Sequence, residues 1–453
     1  MTTRSAETRG PAAYPIVGHV PQFLRDRLGF LSRCAALYGD VVELRIGERT
    51  FLLNNAEDVR HVLATNARNY TKTPRLTSAR GRQLSGEGLL TMSGEAHLSQ
   101  RRMMQPAFHH KSIAGFADMI VDTTTDAVSG WREDPVLDVA AAMSRLAQRI
   151  VLKALFSTDI EDVDALGAAI SVRRRYMDYM FFSLLPFPEY LPTRLNFEYR
   201  NAMKRIDAFI YGAIAKRRAA VDLPHDLLTM LMTASYRDGG SMNDRQVHDE
   251  ALTMSITGYE TIGEALSWTW YLVARHPEVK GRLHAELARV LNGRTPTLDD
   301  VPALTYTQQV LDESMRIYPP TWIFVRMAQN DDTLPSGTRI PKGSKLYMCP
   351  YVIHRNPGYF PDPEKFDPER FSEDVRKQRH RVAHFPFGNG PRVCIGEAFA
   401  RMEAMLVLAV IAQKFDLELA TAHDVVPEPR MTLRAKHGIM VRPVPRVAEA
   451  CLA

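Results

Sequence analysis

Apolar residues recur at helical spacing through most of this chain. A period of 3.6 residues predicts amphipathic helices, and stronger apolar runs predict helices that are buried on most sides. The predicted helices cover Phe30 to Tyr38, Asn55 to Thr65, two or three segments between 112 and 170, Asn243 to Arg275, a segment that ends before Pro319, and a segment that begins near Ile395. The chain is therefore expected to be mostly helical.

Alternating apolar and polar residues mark a smaller number of strands. Residues 40–54 alternate on both sides of a Gly-Glu pair, which predicts a hairpin near the start of the chain. Strands are also expected in WIFVRMAQ after Pro320 and over 338–353, and MTLRAKHGIMVRP near the C-terminus predicts a second hairpin. The β-structure is thus a minor part of the chain.

Composition narrows the class of protein only slightly. The 453 residues are 45% hydrophobic and 24% charged, as in ordinary globular proteins, and the net charge of +5 does not by itself imply a nucleic-acid partner. The N-terminal segment is polar and broken by proline and glycine, so no transmembrane anchor is expected there. Four cysteines without paired spacing favour a reducing cytoplasm: Cys34, Cys349, Cys394 and Cys451.

The segment 387–396, FGNGPRVCIG, contains the cysteine that most needs an explanation. Gly388 and Gly390 permit tight turns, and Arg392 offers a permanent cation with a fork of donors that suits a carboxylate. Cys394 precedes an apolar helix, whose N-terminus favours the thiolate over the thiol. A thiolate held in this way is a metal ligand or a nucleophile. Because a haem carries propionates, the nearby arginine favours a haem.

Two other interpretations of the segment were considered. A free cysteine buried in a glycine-rich turn would have the same composition. A dinucleotide-binding fingerprint would begin with the same GNG, but Val393 occupies the position of its third glycine, and no strand-like run precedes it.

The segment resembles the haem-binding signature of the cytochrome P-450 family of haem-thiolate monooxygenases. Six of its ten positions match that signature: Phe387, Gly388, Gly390, Arg392, Cys394 and Gly396. The resemblance implies that Cys394 is the axial ligand of the haem iron. It also implies that Phe387, Gly388, Arg392 and Gly396 belong to the cofactor-binding loop.

Other cofactor contacts follow from the same resemblance. His97 and Arg101 are four residues apart on a predicted helix, where two donors on one face can bind an acid. The family often has such a pair on the helix that binds the haem propionates. Arg326 matches a further position that often contacts a propionate. Without the resemblance, the pair on the helix would be interpreted as a solvated basic face.

The long helix contains SITGYETIGEALSWTW, in which Gly258, Glu260 and Thr261 match the oxygen-activation motif of the family. A carboxylate beside a hydroxyl can relay protons to a buried site. Glu260 and Thr261 are therefore the expected catalytic residues. Two positions depart from the pattern: Thr257 replaces a smaller residue near the oxygen site, and Ile262 stands where a second hydroxyl is common.

Glu313 and Arg316 form a Glu-x-x-Arg pair on the next helix, and Arg370 lies in a Pro-Glu-Arg-Phe segment. The resemblance implies a buried network of these three residues with a structural role. A surface pair at this spacing would contribute little to stability.

The substrate pocket is expected among apolar residues that the resemblance places near the cofactor. Residues 176–190 are rich in aromatic and methionine side chains, which favours an apolar substrate. The expected lining residues are Thr257, Gly258, Phe181, Phe182, Ile323 and Leu433, with Phe187 in the same aromatic segment. Arg75, Arg80 and Arg82 are either solvent-facing or anchors for a fatty-acid carboxylate.

The resemblance extends over nearly the whole chain and implies one cytochrome P-450 domain, 1–453, mainly α with a smaller β-rich subdomain (α+β). Residues of about 40–70 and 320–355 would form the β-rich part, and about 95–320 and 390–415 the helical part. The implied cofactor is haem b (iron protoporphyrin IX), with dioxygen as co-substrate. The expected reaction is the insertion of one oxygen atom, as hydroxylation or epoxidation, into a terpenoid, steroid, macrolide or fatty acid.

The implied protein is a soluble, cytoplasmic monomer of the bacterial type without a nucleic-acid partner. Its electrons would come from NAD(P)H through separate proteins, a ferredoxin and ferredoxin reductase or a flavodoxin. The basic run 376–381 is either a solvated loop or a docking patch for such an acidic donor.

Three other functions were weighed. A haem-thiolate peroxygenase or an enzyme that rearranges lipid hydroperoxides would not need the Glu260–Thr261 pair. A haem sensor or carrier would bind ligands without forming a product. A cysteine hydrolase would use Cys394 as nucleophile, but the sequence shows no evident His–Asp partner set.

Overall fold

The computed structural model describes residues 10–78, 81–82, 86–158, 160–183, 190–237, 239–420 and 424–446. The α-helices with described bounds are α1 (Val20–Arg25), α2 (Arg27–Tyr38), α3 (Ala56–Arg60), α4 (Pro74–Thr77), α5 (Gly94–Met104), α6 (His110–Ile113), α7 (Ala117–Val128), α8 (Val139–Phe156), α9 (Ile160–Phe182), α10 (Arg194–Ala219), α11 (Leu227–Thr233), α12 (Asp244–Arg275), α13 (Pro277–Leu291), α14 (Thr305–Ile317), α15 (Pro350–Ile353), α16 (Glu373–Gln378) and α17 (Glu397–Lys414).

The strands are β1 (Val41–Ile46), β2 (Glu48–Leu53), β3 (Tyr70–Thr71), β4 (Leu137–Asp138), β5 (Phe324–Ala328), β6 (Asp332–Thr333), β7 (Arg339–Ile340), β8 (Lys345–Met348), β9 (Phe415–Leu419), β10 (Pro427–Pro429), β11 (Leu433–Ala435) and β12 (Met440–Pro445). Short 3₁₀ turns occupy Ala67–Asn69, Gln105–Phe108, Ala114–Phe116, Ser129–Arg132, Leu298–Ala303, Pro368–Phe371, Arg381–Ala383 and Gly390–Arg392, and a π-helical turn occupies His61–Thr65.

The chain divides into two compact units. The first comprises Met1–Ser78 and Asp312–Cys394, and the second comprises Ala79–Leu311 and Ile395–Ala453. The predicted β-rich segments, 40–70 and 320–355, belong to the first unit. The expectation of one domain over the whole chain stays a prediction.

The first unit is built on a five-stranded sheet with the order β1-β2-β8-β5-β3. The hairpin predicted over 40–54 is confirmed, because β1 and β2 pair antiparallel and Gly47 between them takes a φ of 74°. β2 pairs parallel with β8, and the other pairs are antiparallel. In the β3–β5 pair, Thr71 lies opposite Met327. The same register, continued by one residue, places Lys72 beside Arg326.

The second unit is mainly helical, with α12 as its longest element. α12 begins at a capping box, in which Asn243 Oδ1 accepts from the backbone N–H of Gln246 at 2.9 Å, and Gln246 Oε1 accepts from the backbone N–H of Asn243 at 3.0 Å. Three strands form a small sheet in the order β4-β12-β9, and β10 and β11 form a separate hairpin. A bilayer-spanning helix is not found among the described residues, since none combines sufficient length with sufficient hydropathy.

Two details of the predicted elements are wrong. The C-terminal hairpin has a different partner, because β11 pairs with β10, and β12 pairs with β9 and β4 instead. The predicted strand region 338–353 ends in a short helix, α15. The helix predicted over Asn55 to Thr65 is confirmed, and it changes from α to π geometry at His61.

Candidate active site

Two glycines with left-handed backbone angles shape the loop around Cys394. Gly388 and Gly390 take φ angles of 79° and 70°, and the N–H of Cys394 donates to the carbonyl of Phe387 at 2.9 Å. A Cβ on Gly390 would lie 2.1 Å from the carbonyl oxygen of Leu63, so a side chain at this position would displace the backbone. Cys394 is exposed and is not disulfide-bonded. The loop therefore presents one accessible thiol at a closely held backbone position.

Three cations face one another near this loop in the first unit. Burial and, to a smaller extent, the charge of Arg392 together lower the pKa of Arg326 to about 10. Burial also holds the pKa of Lys72 well below its usual range, with additional contributions from Arg392 and Arg326. The Nη1 of Arg326 donates to the carbonyl of Val325 at 2.9 Å. A bound group with carboxylates would reduce this repulsion, because an opposite charge at close range favours the charged form.

The cluster of cations beside the cysteine loop can be compared with what a haem requires. A haem supplies two propionates that need cations, and its iron accepts a thiolate as axial ligand. The first unit offers three clustered cations together with the exposed sulfur of Cys394. The residues present therefore fit the group that the sequence resemblance implied.

His97 and Arg101 lie in the second unit on α5. His97 is buried and Arg101 is half-buried. The helix is held by Gln100, whose Nε2 donates to Glu250 Oε1 at 2.9 Å and whose Oε1 accepts from the Tyr236 hydroxyl at 2.6 Å. The i, i+4 arrangement on a helix is thus as predicted, and contact of the two residues with a cofactor stays a prediction.

One stripe of α12 is accessible. From Val247 to Val273 every residue is buried except Ile256, Thr257, Gly258, Thr261 and Glu264. The hydroxyls of Thr257 and Thr261 donate to the carbonyl four residues earlier, at 2.9 and 3.0 Å. The predicted oxygen-activation motif therefore coincides with the open part of this helix.

Gly258 contributes to helix packing. A Cβ at this position would lie 2.7 Å from Cγ2 of Val151 on α8, so the missing side chain permits the close approach of the two helices. Its place in a substrate pocket stays a prediction. Ile262, at the second departure from the family motif, is buried and contributes to packing.

The carboxylate of Glu260 is buried and lies between α9 and the β10–β11 hairpin. Its Oε1 accepts from the Thr432 hydroxyl at 2.9 Å and lies 3.9 Å from Nη1 of Arg174. Burial raises the pKa of Glu260, while the Arg174 charge and the Thr432 hydrogen bond oppose the increase. A carboxyl group in this environment holds a proton more readily than an ordinary surface carboxyl group does.

The expected substrate-lining residues differ in exposure. Phe181 and Phe182 at the end of α9 are half-buried, as is Ile323 just before β5. Leu433 is fully buried, and its carbonyl accepts from Nε1 of Trp268 at 2.8 Å. Phe187 lies outside the described residues. Contact of any of these side chains with a substrate stays a prediction.

Glu313, Arg316 and Arg370 come together in the first unit. Two hydrogen bonds of 2.6 and 2.8 Å join Glu313 to Arg316, and both side chains are inaccessible to solvent. Arg370 Nε lies 3.4 Å from Glu313 Oε1. Arg316 also donates to three backbone carbonyls, those of His354, Pro363 and Lys365. The arrangement ties α14 to the segment 354–370.

The predicted basic residues before His97 and in the run 376–381 differ in their surroundings. Arg82 pairs with Glu87 at 3.5 Å, Arg75 is exposed, and Arg80 lies outside the described residues. In the basic run 376–381, Arg379 turns inward, with its guanidinium 4.3 Å from the ring centre of Phe360. The run is therefore not a uniform basic surface.

Three residues of these clusters did not emerge from the sequence. Lys72 follows a two-residue strand, Arg174 is one of three consecutive arginines, and Glu264 lies just beyond the recognised motif. No linear pattern indicates their neighbours. The one exception is the spacing of Glu264, which is four residues after Glu260 and three after Thr261. On a helix this spacing predicts that Glu264 is a neighbour of both residues.

The cytochrome P450 family model matches residues 8–447, which is nearly the whole chain. Curated relatives agree with this match. Cyclooctatin synthase of Streptomyces melanosporofaciens is 35% identical over 97% of this chain and 96% of its own length. Cyclooctat-9-en-7-ol 5-monooxygenase of the same organism is 37% identical, with coverages of 90% and 88%. Pentalenene oxygenase of Streptomyces avermitilis is 33% identical over 92% of both chains.

Solved structures show the same fold. The crystal structure of the cytochrome P450DA heme domain matches with a TM-score of 0.88 at 24% identity, covering 97% of this chain and 98% of that one. The predicted fold class, mainly α with a smaller β part, is confirmed. The chain belongs to the cytochrome P450 family. It is a P450 monooxygenase, an oxidoreductase, and its family implies a haem iron.

Proposed function

We propose that this monooxygenase inserts one oxygen atom, as a hydroxylation or an epoxidation, into a cyclic terpenoid hydrocarbon or terpenoid alcohol. The observation that supports this most is the similarity to cyclooctat-9-en-7-ol 5-monooxygenase and pentalenene oxygenase, both of which are named for terpenoid substrates. The apolar cluster at the end of α9 is compatible with such a substrate, since Tyr176, Met177, Met180 and Tyr199 pack together there with Phe181.

Cys394 is proposed as the axial ligand of haem b. When bound, the haem supplies the activation of dioxygen, and the thiolate donates electron density to its iron. Lys72, Arg326 and Arg392 would neutralise the propionates, and the family pattern would add His97 and Arg101. Electrons come from NAD(P)H through a separate ferredoxin and its reductase or through a flavodoxin.

Glu260 and Thr261 supply protons in this proposal. The Thr261 hydroxyl is on the accessible stripe of α12, where rotation about χ1 exchanges its bond to the Thr257 carbonyl for one outside the helix. The buried Glu260 carboxyl, whose pKa is raised by burial, binds a proton and releases it towards that hydroxyl.

Optical titration of the purified holoprotein tests the substrate class. Cyclic terpenoid hydrocarbons and alcohols are expected to shift the haem from low to high spin, because an apolar ring system displaces water from the iron. Fatty acids of similar size are the control, and they should leave the spectrum unchanged. A shift with fatty acids alone would contradict the proposal and would identify Arg75 or Arg82 as a carboxylate anchor.

Lys72→Met is expected to accelerate haem loss about tenfold or more, since a hydrogen bond to a charged group contributes about 1.5–3 kcal/mol. Methionine keeps the length of the side chain and removes its charge. Transfer of haem to apomyoglobin measures the rate. The control is Lys342→Met at an exposed lysine of the same unit. Equal rates for the two variants would exclude Lys72 as a propionate contact.

A further inference from the structure

Glu264 adjoins both residues of the proposed relay. It is three residues after Thr261 and four after Glu260 on α12. Residues at these spacings are neighbours on a helix surface, with Cβ atoms about 5–6 Å apart. Glu264 also lies on the accessible stripe that Thr257 and Thr261 share. A third chemically active side chain thus borders the pair.

The carboxyl group of Glu264 has an unusual environment. Its Oε2 is inaccessible to solvent and has no hydrogen-bond partner among the described residues. Glu250, another buried acid of α12, instead accepts from the backbone N–H of Leu89 and from Gln100, at 3.0 and 2.9 Å. A charged carboxylate without a donor is costly to bury, and a protonated one is much less so.

The charges around Glu264 also favour its protonated form. Burial and, to a smaller extent, the charge of Glu260 together raise the pKa of Glu264 to about 8, against the opposing charges of Arg174 and Arg434. The two arginines are engaged elsewhere, because both lie within salt-bridge distance of Asp178 Oδ2, at 3.5 and 3.3 Å.

Charged groups from each neighbouring element contribute to this environment. They are Glu260 on α12 itself, Arg174 on α9, Arg434 on the β10–β11 hairpin and Asp138 on β4. The two arginines in turn pair with Asp178 and Glu428. Glu428 pairs with both hairpin arginines, with Arg430 Nη2 at 2.8 Å and Arg434 Nη2 at 2.8 Å. The local arginine charge is therefore largely balanced before Glu264 is counted.

We propose that Glu264 is a proton reservoir that recharges Glu260 during turnover, a role that rests on the proposed function of the Glu260–Thr261 pair. After Glu260 has given its proton towards Thr261, the O–H bond of the Glu264 carboxyl breaks and an O–H bond forms on the Glu260 carboxylate. Water then reprotonates the Glu264 carboxylate. The net change is one proton moved inwards from solvent, with no change of oxidation state. Glu264 acts through Glu260 and is therefore a positioning residue.

Glu264→Gln tests the proposal, because glutamine keeps the shape and removes the proton. The turnover rate with a substrate identified by the optical titration is expected to fall roughly tenfold, less than a directly acting acid contributes. The wild-type rate should decline as the pH rises through about 8, where Glu264 loses its proton, and the variant should lack this step. The solvent deuterium isotope effect should increase in the variant.

A second measurement does not depend on turnover. Infrared difference spectra of the ferric holoprotein should show the loss of a protonated carboxyl band near pH 8 in the wild type and not in Glu264→Gln. Glu250, whose pKa is raised by burial to about 7, should contribute the same carboxyl band to both proteins. Glu264→Asp retains a proton and should restore part of the pH step. If Glu264→Gln fails to fold, the infrared titration of the wild type and of Glu264→Asp still shows whether Glu264 is protonated at neutral pH. Absence of the band at neutral pH would overturn the proposal.

Two controls separate this inference from the proposed function. Glu250→Gln removes a buried acid of the same helix outside the relay, whose pKa is raised by burial to about 7. The step of the turnover profile near pH 8 should therefore remain in this variant. Thr261→Ala should divert electrons from product to peroxide and water. Diversion in Thr261→Ala together with wild-type behaviour of Glu264→Gln would reject the reservoir and keep the relay. If Thr261→Ala formed as much product per electron as the wild type, the Glu260–Thr261 relay itself would be rejected.

Discussion

Cys394→Ala is expected to abolish the thiolate-type spectrum of the ferrous carbon monoxide complex and, with it, monooxygenase activity. Alanine keeps the backbone of the loop but removes the sulfur, which is the exposed thiol beside the cationic cluster. Without a thiolate the iron loses the electron donation that favours cleavage of the O–O bond. The change in spectrum follows from the loss of one atom and does not require the protein to unfold.

The matched control is Cys349→Ser. Cys349 is in the same unit but is fully buried, and its Sγ donates to the carbonyl of Trp322 at 3.0 Å. Serine can make the same hydrogen bond, so the thiolate spectrum should persist in this variant. A Cys394→Ala protein that kept the spectrum would show that another group ligates the iron.

Arg316→Ala is expected to destabilise the protein by about 3–5 kcal/mol, as measured from the midpoint of guanidinium unfolding. The substitution leaves the Glu313 carboxylate buried without its two strongest donors. It also removes the donor that three backbone carbonyls share. A buried charge that has lost its partner is far more costly than a surface pair that is broken.

The chain offers a control with the same spacing at the surface. Arg60 and Glu57 are also three residues apart on a helix and are joined by a hydrogen bond of 2.9 Å, but both side chains are exposed. Arg60→Ala should therefore leave the midpoint nearly unchanged. Equal effects of the two substitutions would contradict the structural role of the Glu313–Arg316 pair.

Local patterns predicted the parts of the fold that depend on neighbouring residues. The β1–β2 hairpin follows from alternation and one glycine turn, and α12 from apolar residues at helical spacing. The partner of β11 was predicted incorrectly because strand pairing depends on contacts that are remote in the chain. The apolar pattern of β12 would allow pairing with β11 or with other strands. In the structure β12 pairs with β9 and β4.

In the candidate site, too, the sequence predicted what depends on adjacent residues and missed what depends on contacts remote in the chain. The loop around Cys394 was recognisable because its glycines, arginine and cysteine are adjacent, and its close backbone packing explains why a glycine is needed at position 390. Lys72 was missed because its proximity to Arg326 arises from the pairing of β3 with β5, two strands more than 250 residues apart. Arg174 became a partner of Glu260 only through the packing of α9 near α12.

The most direct test of the central claim is turnover under isotopically labelled dioxygen. The purified holoprotein is supplied with NADPH, a ferredoxin and its reductase, and a cyclic terpenoid hydrocarbon that shifts the haem spectrum. The account predicts a product that contains one labelled oxygen atom, and no product from Cys394→Ala. A product whose oxygen is unlabelled, or a product formed with peroxide but never with dioxygen and the redox proteins, would contradict it.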